Sequence, residues 1–361
     1  MAVFGTYPVD NNLVASTSAN ITDYEENLKV IELGWKAGPE QYPPLELLDY
    51  AIAAEQAGFD TIDTSDHFHP WSEAGQASFV WAWLGAVAAR TQHIKFGTGV
   101  TCPILRYHPS VIAQAVATLG VMAPERVYLG VGTGEALNEY ASMGEWPGYE
   151  ERQARMEESI ELIRQLWTGK PIDFSGTYYH THQARIYTRP EAAIPLYIST
   201  MVPASATIAG RLGDGLFTVG GEDPDTYKQI IANFETGARE AGKDPKKMRR
   251  LIELNVAYTD NEEAAISEMK KYWAGTFVPA LYDQKVYTPA LSEKNGKVVG
   301  SDVIKQKMCL SANPNDHVKY IQQHIDLGFD TFFFHCAGPD QRAFLENYGR
   351  DVLPRVRAAN S

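Results

Sequence analysis

The chain has 361 residues, 44% hydrophobic and 21% charged, with a formal net charge of −13. That length permits one large domain or two small ones, and the acidic balance speaks against nucleic-acid or anionic-membrane surfaces, which need clustered Lys and Arg. No run approaches the roughly 18 uninterrupted apolar residues of a membrane helix, and Cys102, Cys309 and Cys336 are too scattered for a disulfide framework or a zinc site.

Residues 1–28 read as a polar N-terminal extension. Met1–Asn27 lacks a charged, apolar or twin-arginine targeting pattern, and Asn11–Asn20 is rich in Ser, Thr and Asn. A cytoplasmic location is therefore the expectation. Residues 29–361 read as a single domain in which short β-branched runs alternate with amphipathic stretches. The pattern predicts a strand over Ile31–Lys36, a helix over Pro44–Ala57, a strand over Thr61–Ser65 and a helix over Phe79–Ala89. It continues with a strand over Ile94–Thr101, a helix over Ser110–Met122, a strand over Arg126–Val131 and a helix over Glu150–Trp167. Strands over Leu196–Thr200 and Leu216–Val219 follow, each trailed by a helix, Ala204–Leu212 and Pro224–Ala241. A strand over Leu251–Tyr258, helices over Glu262–Trp273 and Asp316–Leu327, and a strand over Thr331–Cys336 complete the series.

Such alternation is parallel α/β architecture, and Gly58, Gly213 and Gly328 fall where a left-handed glycine would stop a helix. A doubly wound sheet would want a glycine fingerprint on its first strand–helix turn, and Lys36-Ala37-Gly38-Pro39 is not one. The expected fold is a (β/α)8 TIM barrel. The domain exceeds the roughly 250 residues of a typical barrel, so insertions are placed near 168–190, as a hairpin, and near 275–300.

In a barrel the active site gathers at the C-terminal strand ends, so the residues after each strand carry the chemistry. Glu40 follows the first strand, Ser65-Asp66-His67-Phe68-His69-Pro70-Trp71 the second, and Gly132-Thr133-Gly134-Glu135-Ala136-Leu137-Asn138-Glu139 the fourth. Singly, Asp66 as a turn cap, His67 as a satisfied core histidine and Trp71 as packing are the ordinary readings; three strand ends contributing together favour a site. Gly130-Val131-Gly132-Thr133-Gly134-Glu135 has the wrong spacing for a dinucleotide loop; its glycines let backbone approach a flat ring. His67 and His69 alternate as metal ligands on a strand end would. The third to seventh strands, however, supply no further histidine, and His180 and His182 sit in the inserted hairpin, so no metal is expected.

These motifs resemble the coenzyme F420-dependent dehydrogenases of the luciferase-like barrel superfamily, the group holding the F420-dependent glucose-6-phosphate and secondary alcohol dehydrogenases. The resemblance spans about Glu32 to Arg357 and is carried by SDHFHPW at 65–71, GTGVTCPILRYHP at 97–109, GVGTGEALNE at 130–139, RQLWTG at 164–169 and AGRLGDG at 209–215. It implies that His67 is the proton-accepting base, that Glu40 supports it from behind and that Trp71 lines the substrate pocket. Glu135 would lie near the reduced ring nitrogen. Asp66, Gly99, Val100, Cys102, Thr133, Gly134 and Asn138 would hold the deazaflavin, with Gly99–Val100 matching the family's non-proline cis peptide.

Chemistry agrees with those roles: hydride leaves a carbinol carbon as its hydroxyl proton is removed, which suits a histidine tuned by a carboxylate. The resemblance also implies that Lys285 and Lys307 match phosphate-binding positions of the sugar-phosphate enzymes, whereas Glu222 stands where a third cation would be. Stretches such as GEWP at 144–147 look closer to the secondary alcohol dehydrogenases. The expected partner is a small secondary alcohol or a sugar phosphate, and the resemblance implies a homodimer. An FMN-dependent monooxygenase of the same superfamily, a metal-dependent hydrolase and a silent deazaflavin carrier are the alternatives.

Overall fold

A computed structural model describes residues 30–278 and 286–361. The strands, in chain order, are β1 (Glu32–Ala37), β2 (Thr61–Thr64), β3 (Lys95–Thr98), β4 (Val127–Val131), β5 (Ile172–Ser175), β6 (His180–Ala184), β7 (Leu196–Ser199), β8 (Gly215–Val219), β9 (Arg249–Ala257), β10 (Cys309–Leu310) and β11 (Thr331–His335). Strands β1 to β4, β7, β8, β9 and β11 pair in that order, every pair parallel, and β11 returns to β1. The result is a closed (β/α)8 TIM barrel. Strands β5 and β6 form the inserted antiparallel hairpin, and β10 lies beside the end of β9.

The helices are α1 (Pro44–Gln56), α2 (Val80–Arg90), α3 (Pro109–Met122), α4 (Glu139–Met143), α5 (Tyr149–Trp167), α6 (Pro203–Leu212), α7 (Pro224–Glu240), α8 (Glu262–Trp273), α9 (Pro289–Gly296), α10 (Ser301–Gln306), α11 (Pro314–Asp326), α12 (Gln341–Asp351) and α13 (Leu353–Ala359). Helices α1, α3, α6, α7, α9 and α11 begin on a proline. Proline has no N–H to lose there, and its fixed φ already suits the helix.

The alternation of side chains fixes what each strand face does. On β1, Leu33, Trp35 and Ala37 join the apolar layer beneath the helices. Facing the other way, Tyr128, Phe217, Leu251 and Phe333 fill the barrel interior and form its floor. Each such aromatic or aliphatic side chain contributes roughly 1.5–3 kcal/mol by burial. One step higher on the same faces stand Lys36, Asp63, Glu253 and His335, a polar layer on that floor.

The eight expected strands all occur. Helices α4, α9, α10 and α13 and the strand β10 were not anticipated, because short segments carry little periodicity; α12 was missed although Phe344, Leu345 and Tyr348 recur at helical spacing. One expectation fails in detail. Gly58 and Gly328 take the left-handed conformation at φ 86° and 104°, but Gly213 is extended at φ −84°. Glycine is needed there for space: a Cβ would lie 2.8 Å from the Ala209 carbonyl oxygen.

Candidate active site

The C-terminal strand ends surround a cleft of about 540 Å³. Asp66, His67, Trp71, Gly99, Val100, Cys102, Thr133, Gly134, Glu135, Asn138 and Lys307 all line it. Glu40 does not; it is buried behind His67. Lys285 lies outside the described residues.

His67 is the hub. Its Nδ1 is 2.8 Å from Oε1 of Glu40 and its Nε2 is 3.6 Å from Oε2 of Glu135. Burial works against the imidazolium, but the Glu40 and Glu135 carboxylates outweigh it and hold the His67 pKa above the ordinary histidine value. Burial likewise opposes ionisation of Glu40, yet His67 and then Lys36 keep that carboxyl below its usual range. Glu135 shifts the other way: burial, helped by the charge of Glu40, raises it despite His67. The imidazole thus sits between an acid held ionised and an acid biased toward its protonated form.

Asn138 joins two of the loops that carry these groups. Its Oδ1 accepts from the backbone N–H groups of Phe68 at 2.8 Å and His69 at 3.1 Å, and its Nδ2 donates to Oε2 of Glu135 at 3.3 Å. Ser72 on the β2 loop donates to Glu293 of α9 at 2.7 Å. Trp71 joins a satellite apolar cluster with Leu137, Met269, Trp273 and Ile304, and its ring centroid lies 5.9 Å from that of His67.

Asp66 is held from three directions. Thr101 donates to Oδ2 at 3.0 Å, while Arg106 and Tyr107 donate to Oδ1 at 2.9 and 3.0 Å. Arg106 also contacts the fully buried Glu139, whose carboxyl burial pushes up to about 7. Cys102 is buried in the same region, and burial drives its thiol well above the ordinary cysteine value. It packs beside Gly134, at φ 76°, where a Cβ would lie 2.4 Å from the Cys102 sulfur.

The polar layer on the floor escaped the sequence reading. Lys36 Nζ reaches Oδ2 of Asp63 at 3.0 Å, Oε2 of Glu253 at 3.1 Å and the Gly99 carbonyl at 2.7 Å. Burial disfavours its charge, but Asp63 and Glu253 outweigh that and raise its pKa. The signal was present: a lysine inside the buried run ELGWKA and a glutamate inside RRLIELNVA both fall on inward positions. The peptide Gly99–Val100 is cis, at the strand end where the resemblance put it. Arg152, Thr200 and Ser205 line another part of the cleft and were also missed.

Lys307 reaches the cleft but is engaged, its Nζ 3.4 Å from Oε1 of Glu222. In the hairpin, His182 is exposed and paired with Asp173 at 3.0 Å. Among the described residues no three of His, Cys, Asp and Glu are grouped as an ion would require. No helix of the described residues is long and apolar enough to cross a membrane.

A closed parallel barrel with an acid–base cluster at its C-terminal mouth defines the class as a barrel enzyme. The chain belongs to the luciferase-like monooxygenase family, whose model matches residues 31–331. It is 42% identical over 331 residues to an F420-dependent glucose-6-phosphate dehydrogenase of Mycolicibacterium gilvum, covering 91% of this chain and 98% of that one. A protein of the same name from Nocardia farcinica is also 42% identical, over 332 residues, with the same shares of each chain covered. Among solved structures, an F420-dependent secondary alcohol dehydrogenase in complex with an F420–acetone adduct superposes with a TM-score of 0.87 at 37% identity, covering 91% of this chain and 99% of the other. The F420-dependent tetrahydromethanopterin reductase of Methanopyrus kandleri, at 20% identity and a TM-score of 0.71 over 91% of this chain and 99% of that one, shares the fold.

Proposed function

We propose that this chain is an F420-dependent dehydrogenase that moves a hydride between the carbinol carbon of a secondary alcohol and the deazaflavin, with His67 as general base. The observation that carries this reading is the His67 environment: Glu40 at one ring nitrogen and Glu135 near the other, inside a cleft. The names of the relatives support the same cofactor and the same bond type.

The cleft suits a flat redox ring. Its volume lies within the roughly 300–1,000 Å³ of ordinary cofactor and ligand sites. The ends of β3 and β4 present Gly99, Gly132 and Gly134, where backbone can lie against a ring face. Asp66, Thr133 and Asn138 would meet polar edges of the ring. Arg152 and the N-terminus of α6, with Thr200 and Ser205, would take the anionic tail, since helix N-termini favour negative charge.

When bound, the deazaflavin supplies the hydride-accepting carbon, C5. The protein's own work is with protons and position. His67 Nδ1–H is held toward Glu40, which leaves Nε2 to take the hydroxyl proton as the carbinol C–H bond breaks. Glu135, whose carboxyl burial holds above its ordinary value, would give a proton to the ring nitrogen that gains negative charge on reduction. Trp71 packs against the base and keeps water from the reacting carbon. The products are a ketone and the reduced cofactor.

A sugar 6-phosphate is the second reading, favoured by the names of the curated relatives. Against it, Lys307 already faces Glu222, which would also repel a phosphate. The homodimer and the cytoplasmic location remain part of the proposal through the resemblance alone. Titration of the purified protein with F420 and with FMN, read by tryptophan fluorescence quenching, tests the cofactor. Tight binding of F420 is expected, and tight binding of FMN alone would overturn the reading.

A further inference from the structure

The cleft holds a second imidazole–carboxylate–indole arrangement. Nδ1 of His335 lies 3.3 Å from Oε1 of Glu253, and the rings of His335 and Trp273 meet edge-on with centroids 4.4 Å apart. All three residues line the cleft, as His67 and Trp71 do. His335 is only 4% exposed, and its Nε2 has no hydrogen-bond partner among the described residues. A buried polar atom left unpaired is costly, so a nitrogen in this state points to a missing partner.

Register supplies a neighbour. His335 on β11 pairs with Asn255 on β9, and Asn255 also lines the cleft. The described lysines on this side are already engaged. Lys36 is shared by Asp63 and Glu253, and Lys307 faces Glu222. Among the described residues here, no cation is left over for an anionic group. What fits is an uncharged oxygen that can both donate and accept.

We propose that the β9–β11 wall is a second polar subsite, in which Nε2 of His335 and the side chain of Asn255 take a second, uncharged hydroxyl or carbonyl oxygen of the substrate. This rests on the dehydrogenase reading above and sharpens it: the substrate is a compound oxygenated at more than the reacting carbon. His335 is then a specificity-determining residue, held in orientation by Glu253. The reaction at the carbinol is unchanged.

The test compares butan-2-ol with butane-2,3-diol, which differ by one hydroxyl, as substrates of the enzyme with F420. One buried hydrogen bond predicts a kcat/KM for the diol about five- to tenfold higher. In His335→Leu that preference should vanish, with kcat/KM for the diol falling to that of butan-2-ol in the same variant. His335→Gln, which keeps a polar tip, should retain part of the preference, and F420 affinity should be unchanged throughout. Asn255→Ala gives the second reading of the same wall if His335→Leu does not fold, and it should lower the preference for the diol.

Equal kcat/KM for the two alcohols in the wild type would overturn the subsite. So would an equal loss on both alcohols in His335→Leu, or a fall in F420 affinity. A wild type that oxidises neither alcohol would instead overturn the secondary-alcohol reading on which the subsite rests. That failure is distinct from an enzyme that oxidises butan-2-ol and ignores the second hydroxyl.

Discussion

Nε2 of His67 and Oε2 of Glu135 stand 3.6 Å apart across the cleft, and the same carboxylate oxygen accepts a hydrogen bond from Asn138. The separation is longer than a direct hydrogen bond. It leaves the imidazole nitrogen available to a hydroxyl, with an acid at hand for a second proton. The proposed chemistry depends on that spacing.

Removal of the base gives the plainest outcome. His67→Ala should lower kcat for alcohol oxidation by about 10²–10⁴-fold, the usual contribution of a general base. The affinity for F420 should stay close to wild type, because the imidazole acts on the substrate. Steady-state kinetics beside a fluorescence titration separates the two effects, and unchanged turnover would remove His67 from the mechanism.

The pH profile carries a sign. A base must be neutral to accept a proton, and the folded pKa of His67 is raised, so kcat/KM for oxidation should climb with pH through a value above that of ordinary histidine. Burial already pulls the other way, and Glu40 is the largest force holding the pKa up. Glu40→Gln should therefore move the rising limb to lower pH. A limb that stays in place would show that Glu40 does not tune the base.

Asn138 offers a paired test. Asn138→Ala removes the acceptor of the Phe68 and His69 N–H groups, two half-buried hydrogen bonds worth about 0.5–1.5 kcal/mol each. A lower Tm and weaker F420 binding are expected. Asn138→Asp keeps an acceptor for both N–H groups but places a carboxylate against Glu135. It should preserve more of the Tm than Ala while shifting the pH profile, and identical behaviour of the two variants would contradict this division.

Two further variants separate stability from chemistry. A Cβ on Gly99 would lie 2.1 Å from Oδ2 of Asp63 and 2.7 Å from the Phe217 ring, so Gly99→Ala should lower stability by about 1–3 kcal/mol and disturb cofactor binding as well. Glu158 accepts from the N–H groups of Thr177, Tyr178 and Tyr179 at 2.8, 2.9 and 2.6 Å, fixing the hairpin insertion to α5. Glu158→Ala should lower stability by about 2 kcal/mol with kcat unchanged, as hydrogen bonds to a charged group imply. Thermal denaturation with parallel kinetics reads both.

The barrel was legible because its strands, buried on both faces, read as continuous apolar runs between amphipathic helices. TFFFH at 331–335 and VYLGV at 127–131 are the clearest cases. The first ring of the site was legible too, since Glu40, His67 and Glu135 follow directly from strand ends. The Lys36–Asp63–Glu253–His335 layer was not, because sequence alone does not say which charged strand residues face one another across a closed cylinder. Nor does it show that Lys307 is already engaged by Glu222, a contact between segments 85 residues apart. Short helices such as α4 and α10 escaped because five or six residues carry too little periodicity to be told from a turn.

Direct hydride transfer between alcohol and deazaflavin is tested most directly by isotope. With propan-2-ol deuterated at C2, oxidised F420 and this enzyme, the reduced cofactor should carry one deuterium at C5, and oxidation should slow relative to unlabelled alcohol when chemistry limits the rate. Reduced cofactor whose C5 hydrogen derives from solvent, or no reduction of F420 at all, would contradict the account.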